Sequence, residues 1–116
     1  MFISFCKSKI AHARITQAEL YYEGSITIDE AIINSVGIFP GEKVEVFNIN
    51  NGTRLETYVI AGKANSGQIC LNGPAARLGY VGDKLIILSY ALVTQDEARA
   101  MKVKAVYLDD ANKIKA

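Results

Sequence analysis

Gly24-Ser25 lies between an aromatic pair, Tyr21-Tyr22, and the β-like run Ile26-Thr27-Ile28. Taken alone, such a dipeptide reads as a turn. It also permits a backbone reaction. A serine hydroxyl beside a strained glycine carbonyl can attack that carbonyl and turn the amide into an ester. Glycine helps because it tolerates unusual φ and ψ and has no side chain to block the approach. β-Elimination then gives dehydroalanine, and hydrolysis with loss of ammonia leaves a pyruvoyl ketone at a new N-terminus. The chain would thereby make a carbonyl electrophile that no side chain offers. Conventional equipment is sparse. His12 is the only histidine, so a Ser-His-Asp triad or a multi-histidine metal site would rest on it alone. Cys6 and Cys70 match no metal or redox spacing and read as two small buried hydrophobes in a reducing compartment. No GxGxxG, P-loop or HExxH pattern occurs.

The elements that must position Ser25 are mostly strands. Val44, Val46 and Ile49 precede Asn50-Asn51-Gly52, and Thr53, Leu55, Thr57, Val59 and Ile60 follow, which predicts a tight hairpin turning on Asn-Gly. Lys84 to Ala91 has the unbroken apolarity of a strand buried on both faces. Ser25 to Ile28, Ser66 to Leu71 and Val103 to Leu108 are shorter strand candidates. Thr27-Ile28-Asp29-Glu30 and Thr94-Gln95-Asp96-Glu97 have the capping-box pattern of helix starts, and Gly37 would end the first helix. Thr16-Gln17-Ala18-Glu19 is a third match with room for about one turn. The polar tail from Asp109 reads as frayed. Phe39-Pro40-Gly41-Glu42-Lys43-Val44 is echoed by Tyr80-Val81-Gly82-Asp83-Lys84-Leu85, each just before a strong strand. This pairing suggests a small closed β-barrel of two similar halves.

The bulk composition limits the rest. A chain of 116 residues fits one domain, 1–116, with no linker composition inside it. Thirteen basic residues against twelve acidic ones leave a charge of +1, without the basic excess of a nucleic-acid binder. No apolar run is long enough to span a membrane. Lys7 and Lys9 follow the apolar start instead of preceding it, so the N-terminus does not read as a signal peptide and the chain reads as cytoplasmic.

Three separated segments share one register with a known family. Lys9-Ile10, Thr16, Ala18-Glu19-Leu20 and Tyr22-Glu23-Gly24-Ser25-Ile26-Thr27-Ile28-Asp29 form the first. Asn51-Gly52-Thr53-Arg54-Leu55-Glu56-Thr57-Tyr58-Val59-Ile60 and Asn72-Gly73-Pro74-Ala75-Ala76-Arg77 are the others, with Val81-Gly82-Asp83 completing the match. In order, and without an insertion from about Lys9 to Ala91, they resemble the bacterial aspartate 1-decarboxylases. The resemblance implies a mainly β fold, a small double-psi β-barrel with short helices, assembled as a homotetramer with active sites at subunit contacts. It implies self-cleavage at Gly24-Ser25 into a β chain, 1–24, and an α chain, 25–116. The implied reaction converts L-aspartate to β-alanine and carbon dioxide for pantothenate synthesis. Its cofactor would be a covalent pyruvoyl group made from Ser25, with no metal and no pyridoxal phosphate. The substrate amine would form a Schiff base with the ketone, which then accepts the electrons released by decarboxylation.

Individual roles carry over by position. Arg54 matches the partner of a substrate carboxylate, suited to it by its planar fork. Tyr58 matches the proton donor, and a phenol near pKa 10 stays protonated at neutral pH. In a regular strand Arg54 and Tyr58 share a face about 13 Å apart, at ~3.3 Å per residue. Thr57 matches a residue of self-processing and substrate contact, although regular pleating points it away from Tyr58. Lys9 matches a substrate-holding lysine, and Tyr22 a residue supporting the cut. Asn72, Gly73, Pro74 and Ala75 open a helical turn whose amides suit a carboxylate. Two departures stand out. Pro74 replaces the family's alanine and removes one N–H donor, and Ala11-His12 stands where relatives carry histidine then arginine. Two other readings share the barrel: a non-processing binding or assembly module, and a DNA-binding regulator disfavoured by the near-neutral charge.

Overall fold

Period-two alternation of apolar and polar side chains favours pleated strands over helices through most of this chain. The computed structural model describes residues 1–115. Its strands are β1 (Phe2–Arg14), β2 (Gln17–Glu19), β3 (Ser25–Asp29), β4 (Lys43–Asn48), β5 (Arg54–Gly62), β6 (Ile69–Asn72), β7 (Lys84–Thr94) and β8 (Lys104–Tyr107). Helix α1 (Glu30–Val36) follows β3, a 3-10 helix (Gly73–Leu78) follows β6, and α2 (Gln95–Ala100) follows β7.

The strands form one sheet in the order β2-β6-β3-β5-β4-β7-β1-β8. β1 runs into β2 through Ile15 and Thr16, whose amides donate to the carbonyls of Asp83 and Ile69 at 2.9 and 2.8 Å. β1 and β2 thus act as one long strand, and the sheet closes into a barrel with β8 added in parallel beside β1. β5 is its counterpart in the other half. β5 pairs antiparallel with β4 and parallel with β3, while β1–β2 pairs antiparallel with β7 and parallel with β6.

The echoed turns occupy equivalent places. Gly41 and Glu42 exchange backbone bonds with Val59 at 2.7 and 3.1 Å, as Gly82 and Asp83 do with Ile15 at 2.8 and 2.9 Å. The carboxylates of Glu42 and Asp83 accept the amides of Phe39 and Tyr80, each at 3.0 Å. Both glycines have φ near +90°, values of 90° and 97° that a β-carbon disfavours. The chain adopts the small double-psi barrel expected from the resemblance.

Ile10, Ile26, Ile28, Ile33, Ile69, Leu71 and Ile87 fill the interior at no more than 1% exposure. Burying each is worth roughly 1.5–3 kcal/mol against leaving it in water. α1 plugs one end with Ile32, Ile33 and Val36. Its N-cap is Asp29 rather than the anticipated Thr27, and Gly37 ends it in the left-handed region at φ 72°. α2 carries both arms of the expected capping box between Thr94 and Glu97.

Several expectations change. The loop between β4 and β5 runs over residues 49–53, wider than a two-residue hairpin, with Gly52 bonded to Asn48. β7 is not buried on both faces. Leu85, Ile87, Ser89 and Val93 point in, while Tyr90 and Leu92 are exposed, so its unbroken apolarity covers an inner and an outer face. Gln17–Glu19 forms β2 instead of a helical turn, because pairing with β6 satisfies its backbone. Cys6 is half-buried, and only Cys70 is buried. The tail is not frayed. Asn112, at φ 57° and 2% exposure, accepts the amide of Arg14 and donates to the carbonyls of Arg14 and Gly67, each bond 2.8 Å. No helix among the described residues is long and apolar enough to cross a membrane.

Candidate active site

Ser25 opens β3 and pairs with Asn72 at the end of β6, while Thr27 pairs with Cys70. Alternation puts Ser25 and Thr27 on one side of β3, and Cys70 and Asn72 on the facing side of β6. The four side chains meet there. Ser25 is fully buried, and its hydroxyl donates to the Glu23 carbonyl at 3.0 Å. The Asn72 carboxamide donates from Nδ2 to Ser25 Oγ and to Thr27 Oγ1, both at 2.9 Å. Its Oδ1 accepts the Cys70 thiol at 3.1 Å. Burial, and then the charge of Glu19, push the Cys70 thiol pKa up, which keeps its proton in place.

Gly73 seats the segment that leads into Ser25. With φ 66°, it brings its backbone so close to residues 22–24 that a β-carbon would lie 2.7 Å from the Tyr22 carbonyl oxygen and 2.8 Å from Gly24 Cα and N. Pro74 is the second residue of the 3-10 helix, and its ring faces Gly24. Gly24, Glu56, Thr57, Pro74 and Ala75 line a cavity of about 320 Å3. A second cavity, of about 360 Å3, touches Tyr22, Thr27, Cys70 and Asn72. The first cavity reaches Gly24, and the second reaches the Asn72 side chain that bonds Ser25. Tyr22 itself is 57% exposed, and its carbonyl rather than its ring meets Gly73.

Thr57 and Tyr58 separate as regular pleating requires. Thr57 turns to the Gly24 cavity, while Tyr58 is exposed on the outer face of β5 together with Arg54. The Arg54 guanidinium lies 3.7 Å above the Phe47 ring, a cation–π contact worth roughly 0.5–1 kcal/mol at an exposed site. Lys9 is half-buried on β1, paired with Leu88 and flanked by Ala105. None of Lys9, Arg54 and Tyr58 hydrogen-bonds to Ser25 or Asn72 among the described residues. One chain thus joins Gly24, Ser25, Thr57, Asn72, Gly73, Pro74 and Ala75, and sets Lys9, Arg54 and Tyr58 apart on its outer surface.

His12, one place beyond the family's histidine, sits in a β-bulge at φ 65° with its ring edge-on to Tyr107, 5.8 Å between centroids. It takes no part in the site. Cys70 and Thr27 do, and neither was singled out from the sequence. Their i, i+2 spacing from Asn72 and Ser25 was the available signal. No cluster of three or more metal-ligating side chains occurs among the described residues.

Comparison with known proteins agrees in its direction. A family model described as aspartate decarboxylase matches residues 1–115. The aspartate 1-decarboxylase of Caldicellulosiruptor bescii is 57% identical over 114 residues, covering 98% of this chain and 89% of that one. The Clostridium beijerinckii enzyme of the same name is 55% identical over 115 residues, covering 99% and 93%. Among solved structures, the rationally designed protein mkDPBB_sym_86 matches with a TM-score of 0.49 and 19% identity over 68% of this chain and 91% of that one.

Proposed function

Because this chain belongs to the aspartate decarboxylase family, we infer that it is a carboxy-lyase converting L-aspartate to β-alanine and carbon dioxide, after cutting itself between Gly24 and Ser25. The product feeds pantothenate synthesis in this reading. The observation that carries the self-cutting step is the buried Ser25 hydroxyl, held between the Asn72 amide and the Glu23 carbonyl next to a glycine. The surroundings fit a group made from Ser25: a glycine on one side, and a cavity lined by the small Pro74, Ala75 and Thr57 beside it. Such a pyruvoyl group supplies the ketone that captures the substrate amine and draws off the electron pair left by carbon dioxide.

The chain's own residues do the rest. Thr57 lines the same cavity as Gly24, and its hydroxyl is the donor we assign to charge developing on the Gly24 carbonyl. The amides of Gly73 and Ala75 are candidates for a substrate carboxylate, and Pro74 offers none. Arg54 provides the charged fork for the other carboxylate, with Lys9 adding positive charge. Tyr58 returns a proton to the substrate's α carbon. These last three lie on the outer face, so the reading requires a neighbouring copy to bring them to Ser25. A homotetramer meets that requirement, and closed symmetric assembly is the common outcome for such surfaces. A cytoplasmic location fits the two free thiols.

Intact mass spectrometry of purified protein, with an assay for β-alanine, tests the reading. Fragments 1–24 and 25–116 are expected, the larger with a blocked pyruvoyl-type N-terminus. Ser25→Ala should abolish both cleavage and activity. A wild-type chain that stays whole and makes no β-alanine would overturn the enzyme assignment.

A further inference from the structure

The Asn72 carboxamide has two ends of opposite polarity, and the self-cutting chemistry needs one of them. Attack by Ser25 Oγ on the Gly24 carbonyl carbon forms an Oγ–C bond and breaks the C–N bond, with the hydroxyl proton passing to the released nitrogen. In the elimination that follows, a base removes the Ser25 α proton and the Cβ–Oγ bond breaks. Oγ leaves as an oxygen of the Gly24 carboxylate, carrying the electron pair. A water then converts the dehydroalanine into the ketone and ammonia. Oγ therefore gains negative charge in the step that commits the chain. An N–H aimed at Oγ stabilises that charge, whereas a carbonyl oxygen aimed there would oppose it.

We propose that Cys70 and Thr27 are positioning residues for self-cleavage, which hold the Asn72 carboxamide with its N–H toward Ser25 Oγ. The proposal rests on the self-cutting reading above. The geometry is specific. Thr27 Oγ1 takes the second N–H of the amide at 2.9 Å, and the Cys70 thiol supplies the donor that only the carbonyl end can accept, at 3.1 Å. Turned over, the amide would set an N–H against a sulfur that accepts weakly. Cys70 is 3% exposed and Asn72 2%, so both ends of the amide are held away from bulk solvent. No buried side-chain polar atom is left unpaired among the described residues. Cys70 acts through Asn72 and does not touch the reacting bond.

The test is the time course of cleavage of freshly purified precursor, followed by intact mass for wild type and for Cys70→Ala, Cys70→Val and Cys70→Ser. Losing one hydrogen bond should slow Cys70→Ala about three- to tenfold. Cys70→Val fills the space without a donor and should be as slow, while Cys70→Ser restores the donor and should cut within about twofold of wild type. A wild-type rate in Cys70→Ala overturns the proposal. So does a series in which valine rescues and serine does not, since that order belongs to packing. If the Cys70 variants fail to fold, Thr27→Val against Thr27→Ser makes the same comparison, with equal rates as the overturning result. A wild-type chain that never cuts instead removes the underlying reading, a distinct outcome.

Discussion

Gly73 shows how much a single backbone position contributes. Its φ of 66° is open to glycine, and the space where a β-carbon would stand is filled by backbone atoms of residues 22–24. Those atoms belong to the segment we propose is cut, so they cannot move aside without moving Gly24. Gly73→Ala is expected to lose roughly 1–3 kcal/mol of stability, from the strained dihedral and the contact together. Urea unfolding in the Ser25→Ala background, where no chain is cut, measures this without interference. The same substitution in the wild-type background should leave a largely whole chain by mass spectrometry. Unchanged stability and full cleavage would show that the close approach is unimportant. The need for glycine here was not visible in the sequence, where Gly73 was valued for its amide. Only the packing of two distant segments reveals it.

At the scale of elements, two carboxylates tie the barrel together. Asp29 is 2% exposed and accepts the amides of Ala31, Asn65 and Gly67 at 2.8–2.9 Å, so it caps α1 and anchors the loop before β6. Asp29→Ala strands three amides and is expected to lower stability by about 2–4 kcal/mol, measured by thermal or urea unfolding. Glu42, just before β4, does similar work. Its carboxylate pairs with Lys7 at 2.8 Å and accepts the Phe39 amide and the Ser89 hydroxyl. Burial pushes the Glu42 pKa up, but Lys7, the Phe39 amide and Ser89 outweigh it and hold it below the ordinary carboxylate value. A carboxyl lowered on folding contributes stability that is present above its unfolded pKa, about 4.3, and fades as pH falls through the folded value. Stability should therefore drop below about pH 4.5, and less steeply in Glu42→Gln, in unfolding curves taken from pH 6 to 3. Equal slopes would take Glu42 out of the acid response. The sequence foresaw Glu42 and Asp83 as paired turn acids, because the echoed segments carry the same spacing. It did not foresee Lys7 or Ser89, which reach Glu42 from strands far away in the chain.

At the scale of the molecule, the separation of Arg54 and Tyr58 from Ser25 is the main consequence of the barrel. Pleating sends Thr57 inward and Tyr58 outward, and closure turns the outer face away from Ser25. If a neighbouring copy completes the site, Ser25→Ala and Tyr58→Phe should complement each other. Each homogeneous variant is inactive in that case. Co-expression should recover about a quarter of wild-type β-alanine production, since a mixed site draws an intact Ser25 from one chain and an intact Tyr58 from another. Sedimentation of the mixture should show one assembled species. No recovery in a mixed assembly would mean that each chain supplies its own Tyr58, through a rearrangement of β5.

What the sequence determined alone was local or repetitive. Alternating apolar residues marked β4 and β5, an unbroken apolar run marked β7, Gly37 and the Thr94 capping box marked helix ends, and the echoed Gly-acid turns marked two similar halves. Each depends on residues a few places apart, whose preferences survive in any context. The register of Gly24-Ser25 with Arg54, Thr57, Tyr58 and Asn72 also marked the family. Tertiary structure decided the rest. It made Gln17–Glu19 a strand because β6 was there to pair with it, and bound the polar tail through Asn112. It also joined Ser25 to Asn72, Thr27 and Cys70 while leaving Lys9, Arg54 and Tyr58 outside. Those outcomes depend on which backbone groups find partners and which faces are enclosed when the sheet closes, and no short stretch of residues carries that information.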